Sequence, residues 1–148
     1  LADLIRRNIA IKAAIVEADE FETKGLRALL NFGHTLGHAI EAAAGYGAML
    51  HGEAISLGLR AAGWLSVKKA GLPQADFERL LALLQKFALP TQLPEGFDTD
   101  ELLRITRMDK KFETGKIRFV LLPKMGDAFV SSDITEADLI AALDEVRS

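Results

Sequence analysis

The segment from Glu53 to Lys69 constrains the fold most strongly, because it is apolar on nearly every side of a helix. A helix without a broad polar face is buried among other helices rather than lying on a surface. Gly71 and Pro73 follow the segment, as glycine and proline often do beyond a helix C-terminus. The sequence therefore predicts a multi-helix domain built around this segment.

Apolar residues recur at helical spacing in most of the remaining chain. They predict five further helices, which span Leu4 to about Glu20, Leu26 to about Ala44, Phe77–Leu84, Asp98 or Thr99 to Met108, and Glu136–Val146. The strand-like runs Lys116–Leu122 and Ala128–Ser131 are separated by Pro123–Asp127, which predicts a hairpin. We expect a single, mostly α domain over residues 1–148, a multi-helix metal-binding domain with a small β-hairpin near the C-terminus.

Composition excludes several classes of protein. The 148 residues carry a formal net charge of −3 and no block of Lys and Arg, so a nucleic-acid partner is not expected. No apolar run approaches the roughly 20 residues of a membrane span, and no signal peptide opens the chain. The absence of cysteine excludes disulfides and thiolate metal sites. We expect a cytoplasmic location, and because the chain begins with Leu1 inside a helical pattern, we expect it to be part of a longer one.

The second predicted helix carries an unusual polar face. Its polar residues follow the spacing i, i+4, i+7, i+11, which at about 100° per residue places them in one narrow arc. They are Arg27, Asn31, His34 and His38. These groups bind anions, hydroxyls and metals, whereas a solvated face normally shows Lys, Glu and Gln. Gly33 and Gly37 lie beside the histidines, and close approach of another backbone or a ligand would explain two glycines in mid-helix.

All three histidines of the chain lie in this neighbourhood. His34 and His38 are one helical turn apart, so both can meet one ion, and the ring of His51 could point back at the same helix. Imidazole without thiolate suits zinc or a similar divalent ion. Spacing alone predicts a site of three histidine ligands, which would leave no histidine for proton transfer.

Two basic sites have both a functional and a structural interpretation. Lys12 interrupts the apolar stripe of the first helix, so its stem is expected to face inward, either for binding or as a snorkelling lysine. Asp109, Lys110 and Lys111 lie between a helix and the hairpin, where a charged turn is an equally simple interpretation.

Several motifs together resemble the C-terminal helical domain of the 3-dehydroquinate synthase family. They are GLRALLNFGHTLGHAIE at residues 25–41, GYG at 45–47, LHGEA at 50–54, DKK at 109–111 and IRFVLLP at 117–123. The resemblance covers essentially the whole chain. Its looser core, two histidines a turn apart and a later His-Gly, is also similar to glycerol dehydrogenase and the iron-dependent alcohol dehydrogenases.

The resemblance implies an activity for the full enzyme, the second step of the shikimate pathway. That enzyme converts 3-deoxy-D-arabino-heptulosonate 7-phosphate to 3-dehydroquinate and phosphate with NAD⁺ and a divalent metal, usually zinc, with cobalt as an alternative. The chemistry of the family combines transient oxidation, phosphate loss, re-reduction, ring opening and aldol closure. The implied partners are an N-terminal NAD-binding domain, the sugar-phosphate substrate and a second copy in a homodimer. The sequence contains no Gly-rich nucleotide-binding unit, so NAD is assigned to no residue here.

The resemblance also implies roles for individual residues. His34 and His51 match metal ligands, the third ligand being a glutamate that precedes this domain in the family. His38 matches a non-ligand histidine beside the substrate, suited to acid–base work. Substrate-contacting positions match Lys12, Arg27, Asn31 and one of Lys110 or Lys111.

Two alternatives remain open at this point. One is another sugar-phosphate cyclase of the superfamily, such as a 2-deoxy-scyllo-inosose or 2-epi-5-epi-valiolone synthase. The other is a non-catalytic helical module with a structural metal, which predicts a closed site with every ligand inside the chain.

Overall fold

The computed structural model describes residues 1–21, 23, 25–45, 47–108, 112–113 and 116–148, with only the backbone described at 112, 113 and 116. The chain divides into two compact units, Leu1–Asn31 and Phe32–Ser148. Within the described residues no helix is long and apolar enough to cross a membrane.

The first unit contains α1 (Ala2–Ala18) and a 3₁₀ helix (Leu26–Asn31). The buried carboxylate of Asp19 follows α1 and accepts hydrogen bonds from the backbone N–H of Leu26 at 2.8 Å and of Arg27 at 3.4 Å. Asp19 thereby satisfies N–H groups that have no partner within the first turn of a helix. No residue of α1 is buried in this chain, and Lys12 is exposed.

The second unit contains the remaining helices and the sheet. Its helices are α2 (His34–Ala44), α3 (His51–Ala70), α4 (Gln74–Lys86), α5 (Thr99–Met108) and α6 (Glu136–Arg147). The strands β1 (Phe112–Glu113), β2 (Lys116–Lys124) and β3 (Asp127–Ile134) form an antiparallel sheet in the order β1-β2-β3. The mostly α fold with a C-terminal hairpin is therefore confirmed, and the short β1 adds a third strand to the hairpin.

The core of the second unit surrounds α3, as its apolar sequence predicts. This helix packs against α2, α4, α6 and β2. Leu57 and Leu65 of α3 are completely buried, together with Leu102 and Leu143 of the neighbouring helices. Such packing places α3 at the centre and fixes where its first residue, His51, begins the helix.

The predicted continuous helix from Leu26 to Ala44 is wrong. The chain forms the 3₁₀ helix up to Asn31, turns at Phe32 and Gly33, and starts α2 at His34. Gly33 has φ +78°, a left-handed conformation that residues with a side chain rarely adopt and that ends regular helix. Arg27 and Asn31 therefore do not share one helix face with the histidines.

Candidate metal centre

Three glycines bring α2 and α3 into close contact. A Cβ atom at Gly58 would lie 2.0 Å from the carbonyl oxygen of Gly33 and 2.7 Å from the backbone nitrogen of Gly37. A Cβ at Gly37 would in turn meet the side chain of Ile55 at 2.7 Å. The glycines beside the histidines are thus explained by the approach of another backbone, one of the two predicted explanations.

This close contact also fixes the register of the two helices. Gly33 lies opposite Gly58, and Gly37 lies opposite Ile55, so the helices run antiparallel. Continuing that register along α2 places His38 and Glu41 beside the first turn of α3, where His51 lies. The glycine contact is therefore what brings residues of two separate helices to one place.

The three histidines form a single cluster. Each offers one ring nitrogen, and these nitrogens all lie within 4.8 Å of one another. The ring centroids of His34 and His38 are 5.2 Å apart, and His51 lies 5.9 Å from the first and 5.7 Å from the second. As predicted, His34 and His38 lie one turn apart on a helix and the ring of His51 points back at them.

Nδ1 is hydrogen-bonded in the rings of His34 and His51. Nδ1 of His34 lies 3.1 Å from the backbone oxygen of Phe32, and Nδ1 of His51 lies 2.9 Å from Oε2 of Glu41. A carbonyl oxygen only accepts, so Nδ1 of His34 donates and Nε2 keeps its lone pair. Metal-binding histidines typically donate their other ring N–H to a carbonyl or carboxylate in this way. The donor set and its partners therefore fit a divalent cation.

The sequence alone suggested no role for Glu41, although it is the last residue of the motif at residues 25–41. It follows His34 by seven residues and His38 by three on α2, a spacing that puts all three on one helix face. That spacing is the signal that could have identified it.

A depression of about 540 Å³ lies beside His38. Its lining is formed by the end of α2 and the loop that follows, at His38, Glu41, Ala42, Gly45, Gly47 and Met49. It is large enough for a small polar molecule and places His38 at its edge.

The other predicted site residues belong to the first unit or fall outside the described residues. Three of them belong to the first unit: Lys12 on α1, and Arg27 and Asn31 on the 3₁₀ helix. Within that unit a depression of about 360 Å³ is lined by Lys12 and Leu30 among others, so Lys12 borders the 3₁₀ helix. Lys110 and Lys111 lie outside the described residues.

A family model described as 3-dehydroquinate synthase C-terminal matches residues 1–112. The chain belongs to this family. The expected resemblance is thereby confirmed for the greater part of the sequence.

Curated relatives are similar over nearly the whole chain but are much longer. A 3-dehydroquinate synthase of Bordetella pertussis is 46% identical over 97% of this chain, which covers 39% of that protein. One from Desulforamulus reducens is 44% identical over 91% of the chain, which covers 37% of that protein. The chain thus spans well under half the length of these relatives.

Solved structures of related cyclases share the fold. One is a 2-epi-5-epi-valiolone synthase from Streptomyces hygroscopicus with NAD⁺ and Zn²⁺ bound, which superposes with a TM-score of 0.82 at 24% identity. The match covers 98% of this chain and 39% of the synthase. A 2-deoxy-scyllo-inosose synthase complexed with carbaglucose-6-phosphate, NAD⁺ and Co²⁺ has a TM-score of 0.80 at 26% identity, covering 95% and 39%.

Proposed function

We propose that this chain is the C-terminal, metal- and substrate-binding part of a 3-dehydroquinate synthase. The whole enzyme would convert 3-deoxy-D-arabino-heptulosonate 7-phosphate to 3-dehydroquinate and phosphate, as a carbon–oxygen lyase of the shikimate pathway. The observation that carries the proposal is the cluster of three histidines with donor nitrogens within 4.8 Å of one another, inside a chain of this family.

In this proposal His34 and His51 hold a divalent metal, zinc or cobalt. A carboxylate from the part of the enzyme outside this chain completes the three protein ligands that a catalytic zinc usually has. When bound, the metal supplies Lewis-acid polarisation of the substrate's hydroxyl and carbonyl oxygens. The Nδ1 hydrogen bond of each ring supports the assignment, because it leaves Nε2 for the ion.

His38 is proposed as the proton-transfer residue. Its ring lies 5.2 Å from that of His34 and at the edge of the depression, so it can reach a molecule bound there. Imidazole exchanges protons readily near neutral pH, which suits it to take a proton from a substrate hydroxyl and return it.

Basic side chains of the chain are proposed to hold the substrate. Arg27 and Lys12 would bind its carboxylate, the first as a planar fork and the second as a point charge. Asn31 and one of Lys110 or Lys111 would contact its hydroxyl or phosphate oxygens.

The remaining parts of the proposal concern what lies beyond this chain. NAD⁺ would be bound mainly by an N-terminal domain, because no Gly-rich nucleotide-binding motif occurs in these 148 residues. The full enzyme is expected to be a cytoplasmic homodimer. The isolated chain is expected to be inactive and to bind metal weakly.

Another sugar-phosphate cyclase is the principal alternative. The identity of 44–46% to 3-dehydroquinate synthases, against 24–26% to the two related cyclases, favours the first activity. Arg27 and Lys12 also favour this activity, because their cationic side chains suit a substrate with a carboxylate. A structural-metal module is disfavoured because a closed site needs about four protein ligands, whereas the described residues bring together three histidines.

The test is turnover by the longer protein that contains this chain, supplied with NAD⁺ and Zn²⁺. We expect phosphate release and dehydroquinate from the heptulosonate phosphate, and little product from sugar phosphates without a carboxylate. The isolated chain serves as the inactive control. Faster turnover of a carboxylate-free sugar phosphate would assign the chain to another cyclase instead.

A further inference from the structure

Glu41 makes a hydrogen bond to one of the two proposed metal ligands. Its Oε2 lies 2.9 Å from Nδ1 of His51, ten residues along the chain and on another helix. We propose that Glu41 is a positioning residue for the metal centre: it fixes His51 in the Nδ1–H tautomer and aims Nε2 at the ion. This inference rests on the proposed metal-binding function of His51.

The chemistry of the pair determines the tautomer. A neutral imidazole carries one hydrogen, on either Nδ1 or Nε2, and only the bare nitrogen can bind a metal. An ionised carboxylate accepts hydrogen bonds and donates none, so the pair requires the hydrogen on Nδ1 of His51. The same hydrogen-bond direction holds for His34 and the Phe32 carbonyl. Both proposed ligands would therefore present the same kind of nitrogen.

The position of the contact separates it from an ordinary surface ion pair. The side chains of His51 and Glu41 are 55% and 37% exposed, so their attraction alone adds little to stability. However, His51 begins α3 and its ring nitrogen lies within 4.8 Å of those of two other histidines. An exposed ring at a helix start can rotate, and loss of its hydrogen bond would misplace a ligand without disturbing the core.

The register of α2 and α3 explains why the carboxylate reaches this ring. Gly58 against Gly33 sets the helices close together and antiparallel, so that Glu41 lies beside the first turn of α3. The core of the second unit is built from other residues, so substitution of Glu41 should leave the fold intact.

The first experiment examines the ring tautomers of the metal-free 148-residue chain by ¹⁵N nuclear magnetic resonance. The chain has three histidines, which makes assignment simple. At alkaline pH we expect the Nδ1–H pattern for His51, a shift towards Nε2–H in Glu41→Ala, and retention of Nδ1–H in Glu41→Gln through the amide oxygen. An Nε2–H ring in the unmodified chain, or an unchanged ring in Glu41→Ala, overturns the inference.

The second experiment measures the zinc affinity of the longer protein, which supplies the third proposed ligand, by competition with a chelating indicator. Glu41→Ala should weaken binding about 10- to 100-fold, as removal of such partners typically does, and Glu41→Gln should fall between. Glu78→Gln, on the exposed face of α4, removes the same charge and should leave the affinity unchanged. Equal affinity in Glu41→Ala and the unmodified longer protein would also overturn the inference.

The two experiments distinguish this inference from the function on which it rests. If the unmodified chain and the longer protein bind no zinc, the proposed metal function fails. If zinc binds and neither tautomer nor affinity responds to Glu41, only the positioning role fails. Circular dichroism of each variant separates a local effect from unfolding.

Discussion

His34 and His51 each begin a helix, and a backbone or side-chain oxygen lies within hydrogen-bonding distance of Nδ1 in both rings. His38 lies one turn into α2 and completes the cluster. The three donor nitrogens lie within 4.8 Å of one another, so substitution of each histidine distinguishes the metal ligands from the proton-transfer residue.

We predict different outcomes for the two histidines of α2. In the longer enzyme, His34→Ala should lose both the metal and turnover, because it removes a proposed ligand. His38→Ala should keep the metal and lose turnover by about 10²- to 10⁴-fold, the usual contribution of a general acid or base. Elemental analysis beside a turnover assay measures both quantities. A metal-free His38→Ala with a zinc-loaded His34→Ala would reverse the two assignments.

At the scale of elements, the contact between α2 and α3 holds the site together. The contact depends on glycine because backbone atoms of one helix occupy the space that a side chain of the other would need. The start of α6 is held differently, by a capping box between Thr135 and Asp138.

Gly58→Ala should destabilise the second unit. Its new methyl would lie 2.0 Å from the Gly33 oxygen, and backbone cannot yield as a flexible side chain can. We expect a loss of about 1–3 kcal/mol in the free energy of unfolding, as in overpacked cores, together with weaker zinc binding. Gly52→Ala is the matched control on α3, because among the described residues no atom outside its own helix turn lies within 4 Å of its added Cβ. Equal stability of both variants in urea unfolding would contradict the close-packing argument.

Asp138→Asn should give a pH-dependent loss of stability. Burial alone would raise the pKa of Asp138, but hydrogen bonds from Lys69 and from the backbone and hydroxyl of Thr135 outweigh it and hold the pKa below its ordinary 3.8. A carboxyl with a depressed folded pKa stabilises the fold above its unfolded pKa, and the contribution disappears as pH falls through the folded value.

We therefore expect Asp138→Asn to cost about 1 kcal/mol at neutral pH, with the difference shrinking as the pH falls below 3.8. Urea unfolding across that range measures it. Asp144→Asn on the same helix is the control, since Asp144 is 67% exposed and its pairing with Arg147 is a surface contact. A loss for Asp138→Asn that is independent of pH would exclude the ionised carboxylate as its cause.

At the scale of the whole molecule, the second unit has an extensive core centred on α3. Polar groups join distant parts of it: Arg60 donates to the Thr91 oxygen at 2.8 Å and to Glu145 at 3.1 Å, and Ser66 accepts from the N–H of Leu122 at 3.0 Å. Such long-range contacts form together, so the unit should unfold in one step.

We predict that the chain folds by itself with a cooperative thermal transition. Leu57→Ala should lower the free energy of unfolding by about 2–5 kcal/mol, because it leaves a cavity in the core. Leu83→Ala, at a side chain that is 52% exposed, should change it little. Circular dichroism during heating checks both, and a gradual loss of helix without a transition would refute independent folding.

Local signals in the sequence determined most of the elements. The apolar segment around Leu57 became the central helix, and the α5 start is capped by Asp98, whose Oδ1 accepts from the N–H of Glu101 at 2.8 Å. The hairpin turns at Met125 and Gly126, inside the segment predicted to connect its strands. Each of these features depends on a few neighbouring residues, so the sequence alone predicts it.

Tertiary structure decided the geometry of the site. The periodicity of the sequence predicted one helix over Leu26–Ala44. The structure instead has a left-handed turn at Gly33, where the backbone contacts Gly58, and this turn divides the segment into two helices. The sequence placed three histidines and Glu41 in one neighbourhood, but the pairing of Glu41 with His51 depends on the register of α2 and α3. Register results from packing between segments far apart in the chain, and local spacing carries no information about it.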